Sequence, residues 1–179
     1  AVTKISNADG RAVQHFTFDA EGRPNTSSTG GKNPIWVTYN ADGSRTVTDD
    51  DGIARTFYFQ KIAGVRRLTG ISSPCQWCSL PHNTMEYDAA TGLVSKTTDF
   101  AGVATTYARW DTDPRRRLKR VVEAAGTADA RATDSEWHPT FNLPIKVTVT
   151  QGKHSYTKAY QYDGLGRETI RRFDQTING

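Results

Sequence analysis

The sequence predicts an all-β fold built from consecutive antiparallel β-hairpins forming a curved sheet. Three observations carry that prediction. Aromatic-plus-turn units recur along the chain. The apolar residues between them alternate with period two. The composition is rich in Thr (24 residues) and poor in Leu (6), with 10% aromatics, which suits half-buried pleated strands better than helices.

Taken in order, Asn7-Ala8-Asp9-Gly10-Arg11 reads as the tail of a first unit. Phe16 and Phe18 flank Thr17 on one strand face, and Phe18-Asp19-Ala20-Glu21-Gly22-Arg23 follows as a full unit. Ile35, Val37 and Tyr39 share a face and lead into Tyr39-Asn40-Ala41-Asp42-Gly43. A second turn follows at Asp51-Gly52, and then an aromatic strand with Phe57, Tyr58 and Phe59. Residues 72–84, with Pro74, Cys75, Cys78 and Pro81, break the rhythm and predict a projecting loop. Tyr87-Asp88-Ala89-Ala90-Thr91-Gly92 restores it, followed by Asp99 to Gly102 and Tyr107. The run Arg115, Arg116, Arg117, Lys119, Arg120 reads as a solvated turn and strand edge, with a polyanion contact as the alternative.

Residues 123–134, rich in Ala and lacking an apolar stripe, predict a second irregular insertion with room for one helical turn. Trp137-His138-Pro139-Thr140-Phe141-Asn142 is a degenerate unit in which Asn142 stands in the Gly place, where a positive φ is expected. Ile145, Val147 and Val149 alternate with Lys146, Thr148 and Thr150. Gln151-Gly152 makes the next turn. Tyr156, Tyr160 and Tyr162 share a face and lead into Tyr162-Asp163-Gly164-Leu165-Gly166-Arg167. Short strands at this spacing with Gly turns are the mark of antiparallel hairpins. One continuous domain over residues 1–179 is the simplest count.

Bulk properties narrow the function classes. Hydrophobic residues make up 36% of the chain and mean hydropathy is −0.64, so burial must come from one face of many strands. The net charge of +4 is a mild bias with both signs mixed, which is only weak evidence for a nucleic-acid partner, and none is expected. No apolar run reaches the length of a membrane-spanning helix. The chain opens at Ala1 and stops just after a repeat unit, so it reads as a piece of a longer protein, and the lack of a targeting segment in it says nothing of that protein's destination.

Chemistry-bearing residues are sparse. Cys75-Gln76-Trp77-Cys78 could close a small disulfide, remain two thiols, serve a redox couple, or join His82 as three of the ligands of a metal site. Structural zinc wants four ligands, and a redox pair usually accompanies a βαβ pattern. His15, His82, His138 and His154 show no close ligand spacing, and no nucleophile elbow is present. The expectation is a protein without catalytic residues and without a cofactor. Of Trp36, Trp77, Trp110 and Trp137, Trp77 is the candidate for stacking on a glycan.

The repeat units resemble the RHS/YD-repeat family. Tyr162-Asp163-Gly164-Leu165-Gly166-Arg167 looks like its motif, and Tyr87, Asp88 and Gly92 followed by Asp99 and Gly102 resemble its longer form. Phe18, Asp19, Gly22, Arg23, Tyr39, Asp42 and Gly43 are the further matching positions. Phe18 and Trp137 replace Tyr, Asn40 replaces Asp, and Ser44 holds the Arg place.

The resemblance implies a segment of a β-sheet shell that encloses or presents a polypeptide toxin, secreted or at a cell surface. Its partners would be the rest of its own chain, and the alternative reading is a carbohydrate-binding surface module. Unpaired strand edges would invite self-association. The motif also has a local physical reading. The Asp accepts turn N–H groups, the Gly closes the turn, and the Arg returns to the Asp. Each aromatic is expected to stack on a ring of the next hairpin.

Overall fold

The computed structural model describes residues 1–75, 78 and 80–177. It is all-β, with no helix among the described residues. The strands are β1 (Lys4–Ser6), β2 (Ala12–Phe18), β3 (Pro24–Thr29), β4 (Lys32–Tyr39), β5 (Arg45–Thr48), β6 (Ala54–Ile62), β7 (Val65–Ile71) and β8 (His82–Tyr87). They continue as β9 (Val94–Asp99), β10 (Ala104–Arg109), β11 (Leu118–Glu123), β12 (Arg131–Trp137), β13 (Pro144–Gln151), β14 (His154–Tyr162) and β15 (Glu168–Ile177). Hydrogen-bonded neighbours follow chain order from β1 to β15. By its contacts the chain forms two compact units, Ala1–Thr84 and Met85–Gly179.

In the first unit the hairpins pair in the register that the turns set. Thr17 faces Thr26 and Thr46 faces Thr56, and in both pairs the hydroxyls lie within hydrogen-bond reach. Such cross-strand pairs are one use for a Thr-rich composition. Buried apolar side chains are few here. Ile71 is 1% exposed, and Cys75 joins it.

Beside them lies a buried ion pair. Arg55 donates from Nη1 to Asp49 Oδ2 at 2.8 Å and from Nε to the Pro74 carbonyl at 2.7 Å. The loop after β7 is thereby tied to the sheet. Cys75 and Cys78 are joined by a disulfide with Cα atoms 5.3 Å apart, and Cys75 bridges Leu80. The projecting segment is shorter than residues 72–84, because β8 already begins at His82.

In the second unit, Thr148 faces Thr157 in the same manner, with hydroxyls 3.0 Å apart. Ala132 and Val149 are its buried apolar side chains. The insertion expected over 123–134 shrinks to a turn between β11 and β12. Ladder pairing between β11 and β12 takes up both of its ends. Arg120 faces Asp134 and Glu123 faces Arg131, and both pairs form. Those residues are recruited into the ladder, and no helical turn forms there.

Candidate functional site

The turns are built first. Asp19 Oδ1 accepts the backbone N–H of Glu21 and of Arg23, and Oδ2 accepts Arg23 Nε at 2.7 Å. Asp163 repeats the arrangement with Leu165 N, Arg167 N and Arg167 Nε, again 2.7 Å for the last. Gly22 and Gly166 hold φ of +76° and +80°, the region where a Cβ is costly.

The Asp163 carboxyl sits below the ordinary range because the Arg167 backbone N–H and then its guanidinium bind the charged form. At Asp19, burial pushes the other way, and the hydrogen bonds from Arg23 outweigh it. The Tyr39 unit carries Asn40 and Ser44 in place of Asp and Arg, and it moves the carboxylate inward. Asp42 accepts the Ser44 hydroxyl at 2.6 Å and the Ser44 N–H at 2.9 Å, which lowers its pKa. Asp88 is lowered first by the Thr91 hydroxyl and then by the Thr91 N–H.

The aromatics then connect one turn to the previous one. Tyr39 donates its hydroxyl to the Pro24 carbonyl at 2.9 Å, Trp137 its indole N–H to the Leu118 carbonyl at 2.7 Å, and Tyr162 its hydroxyl to the Pro144 carbonyl at 2.7 Å. Each acceptor is the first strand residue after an earlier turn. The cation closing that turn covers the ring in two cases. Arg23 lies 4.2 Å from the Tyr39 centroid and Arg117 lies 5.4 Å from that of Trp137. In those two clasps guanidinium on ring replaces the expected ring-on-ring stacking, whereas Tyr162 meets the His138 ring of the neighbouring unit edge-on at 6.2 Å. Phe18 has no polar tip to donate, and the Tyr87 hydroxyl lies 3.9 Å from Met85 Sδ.

A unit that the sequence reading missed lies between β10 and β11. Asp113 accepts Arg117 Nε, with the same spacing of four as Asp19–Arg23 and Asp163–Arg167, and Arg117 is the chief cause of its lowered pKa. Trp110 N–H bonds the Arg117 carbonyl, which closes the turn. The Asp-to-Arg interval was the available signal. It was hidden because the aromatic stands three residues upstream and an arginine occupies the Gly place.

The basic run is mostly spoken for. Arg115 donates to the Thr140 carbonyl, and Arg117 Nη1 donates to the carbonyls of His138 and Phe141. The degenerate unit is closed differently from the expectation. Asn142 is not among the positive-φ residues. Instead His138 Nδ1 accepts the N–H groups of Thr140 and Phe141, and the His138 ring stacks on Phe141 at 4.7 Å. Phe141 in turn packs against Gly166, where an added Cβ would meet its ring at 3.4 Å.

With both sulfurs bonded to each other, the ligand set Cys75, Cys78 and His82 is not assembled, and no group of three ligand-type residues capable of holding a metal exists among the described residues. Trp77 lies outside the described residues.

The second unit carries a cavity of about 290 Å³ walled by the Asp88 turn, the start of β9, the end of β10 and the Trp110–Arg117 turn. A trough of about 320 Å³ lies beside Trp110 and Trp137, with Asp113 and Glu136 in its wall.

No family model matches the chain, and no curated protein does. Among solved structures it is similar to a chain in the crystal structure of TcdB2-TccC3-Cdc42, with TM-score 0.44 and 18% identity over 96% of this chain. It is similar also to a chain of TcdB2-TccC3 without the hypervariable C-terminal region, with TM-score 0.35 and 15% identity over 90% of this chain. In both cases it spans 9% of the length of the chain it matches.

Proposed function

We propose that the chain is a structural and binding scaffold, a segment of a repeat β-shell that holds or presents a polypeptide, and that it performs no catalysis. The observation supporting this reading is the recurring clasp. A turn closed by Asp and Arg offers its next carbonyl and its cation to the aromatic of a later unit. That is a device for fixing hairpins side by side, and marginal repeats joined this way gain their stability from their neighbours. The disulfide fits an oxidising destination, secreted or at a cell surface.

The test is photo-crosslinking in the full-length parent chain, with benzoylphenylalanine replacing Trp36 or Tyr58, both 44% exposed. Crosslinks to polypeptide segments of the same chain or of a cargo are expected. Crosslinks confined to solvent, with purified chain turning over a small molecule, would overturn the reading.

A carbohydrate-binding surface is the second reading, and the trough between Trp110 and Trp137 favours it. Against it, Lys119 lies 4.8 Å from the Trp110 centroid and Arg117 already covers Trp137. Glycan-array binding lost on Trp110→Ala would support this second reading.

A further inference from the structure

The cavity beside Arg109 has features that hairpin building does not require. A register shift in the β10–β11 pairing falls between Ala108 and Arg109, and a bulge re-aims the side chain that follows it. The Arg109 side chain lines the cavity. Its Nη1 donates to the Arg116 carbonyl at 3.0 Å, which fixes the guanidinium plane. Its Nε is sealed from solvent and has no acceptor among the described residues.

Arg116 is the second unusual residue. It stands where Gly22 and Gly166 stand in the other turns, directly before the closing arginine, and its N–H bonds the Asp113 carbonyl as theirs bond Asp19 and Asp163. It holds φ of +50°, a region that a non-glycine residue enters at a cost. The strained residue therefore places its carbonyl on Arg109 and brings a second guanidinium to the cavity wall. Among the described residues the only ion pair of that second cation is a long one, 3.5 Å to Asp111, whose side chain is 97% exposed, and its charge also acts on Asp88.

We propose that this cavity binds a carboxylate, held by the Arg116 cation and the terminal nitrogens of the Arg109 guanidinium, whose sealed Nε makes no contact with the ligand. A planar two-oxygen group matches the arginine edge, and charge-assisted pairs of this kind are the strong ones. Ser95 lines the same cavity, as do Thr91, whose hydroxyl is given to Asp88, and Tyr107, whose hydroxyl lies 3.3 Å from that of Thr97. Asp88 and Asp111 also line it and offset the two arginine charges, which weighs more heavily against a dianion such as phosphate than against a single negative charge. The carboxylate belongs either to an acidic side chain of an extended polypeptide or to a free small acid. The site stands on local geometry and would survive failure of the scaffold reading.

The test is a titration of the ¹⁵N-labelled 179-residue chain, following the arginine Nε–H resonances. The probes are a blocked Gly-Glu-Gly peptide, its Gln counterpart, acetate and inorganic phosphate. A saturable shift of the Arg109 resonance with the Glu peptide and not the Gln peptide is expected. Acetate binding as tightly as the Glu peptide would support the site and assign a free acid as its ligand. Arg116→Gly should keep or raise the melting temperature while weakening the carboxylate about tenfold. Arg109→Lys, which keeps the charge and loses the planar edge, should abolish the selectivity for Glu peptide over phosphate. Equal shifts with the Glu and Gln peptides, phosphate binding as tightly as carboxylate, or a loss of melting temperature in Arg116→Gly with unchanged binding would overturn the proposal.

Discussion

The hydroxyl of Tyr39 donates to the carbonyl of Pro24 at 2.9 Å, fifteen residues earlier in the chain. Tyr162 and Pro144 make the same bond at 2.7 Å in the second unit, where it is partly buried. Removing one donor strands a carbonyl. Tyr162→Phe should lower stability by about 1 kcal/mol, and Tyr39→Phe, at a more exposed bond, by roughly half that. Urea denaturation of the two variants checks both the sign and the order, and unchanged midpoints would show that the clasps contribute nothing.

Acid should loosen the turns. The carboxyls of Asp163, Asp19 and Asp113 are all depressed by their arginine partners. A depressed carboxylate contributes stability that is fully present above its unfolded pKa of about 4 and is lost as pH falls through the folded value. Melting temperature should therefore be flat with respect to these groups near neutrality and decline below about pH 4. Asp163→Asn should have a shallower decline than the parent chain, and an identical slope in both would refute the linkage.

At the alkaline end, Tyr162 behaves in the opposite sense. Burial raises its pKa, with the Glu168 charge adding to the effect. A raised phenol contributes stability that is present below its unfolded pKa of about 10 and is lost as pH rises through the folded value. Ionisation also removes the proton given to Pro144. Phenolate absorbance should contain a late-titrating component from Tyr162, and that component should vanish in Tyr162→Phe.

The Asp49–Arg55 pair is the most buried ion pair among the described residues, with side chains 10% and 9% exposed. Asp49→Ala leaves a cation in a poorly solvated site and should cost about 3–5 kcal/mol. The double replacement Asp49→Leu with Arg55→Met should cost less than the single one. A double variant that is worse than Asp49→Ala would indicate that the Arg55 bond to Pro74 matters more than the charge pairing.

Gly166→Ala tests the contact between turns. The substitution forces a Cβ into a positive-φ position and towards the Phe141 ring at 3.4 Å. A loss of about 1–2 kcal/mol is expected. Gly22→Ala, where nothing lies within 4 Å of the added carbon, isolates the backbone component. Equal losses in the two variants would remove Phe141 from the account.

Hairpin order was legible because its signals are local. Asp, Gly and Arg within five residues determine a turn, and alternation such as Ile145, Val147 and Val149 determines a strand. The clasps were illegible because Tyr39 and Pro24, or Trp137 and Leu118, are joined only after register is set. The Asn142 expectation failed because His138 supplied the acceptor from the other end of the turn. The Trp110–Arg117 unit was obscured by its longer loop, and the Arg109 cavity depends on a bulge that no residue pattern announces.

Strand pairing in chain order has a consequence for synthesis. A chain leaving the ribosome need not wait for distant sequence, since each new strand docks on the one made just before it. The hydroxyls of Tyr39 and Tyr162 and the indole of Trp137 all reach backward, to carbonyls already translated. Trp110 reaches forward to the Ser135 carbonyl, so its indole stays unsatisfied by that partner until twenty-five further residues have been made.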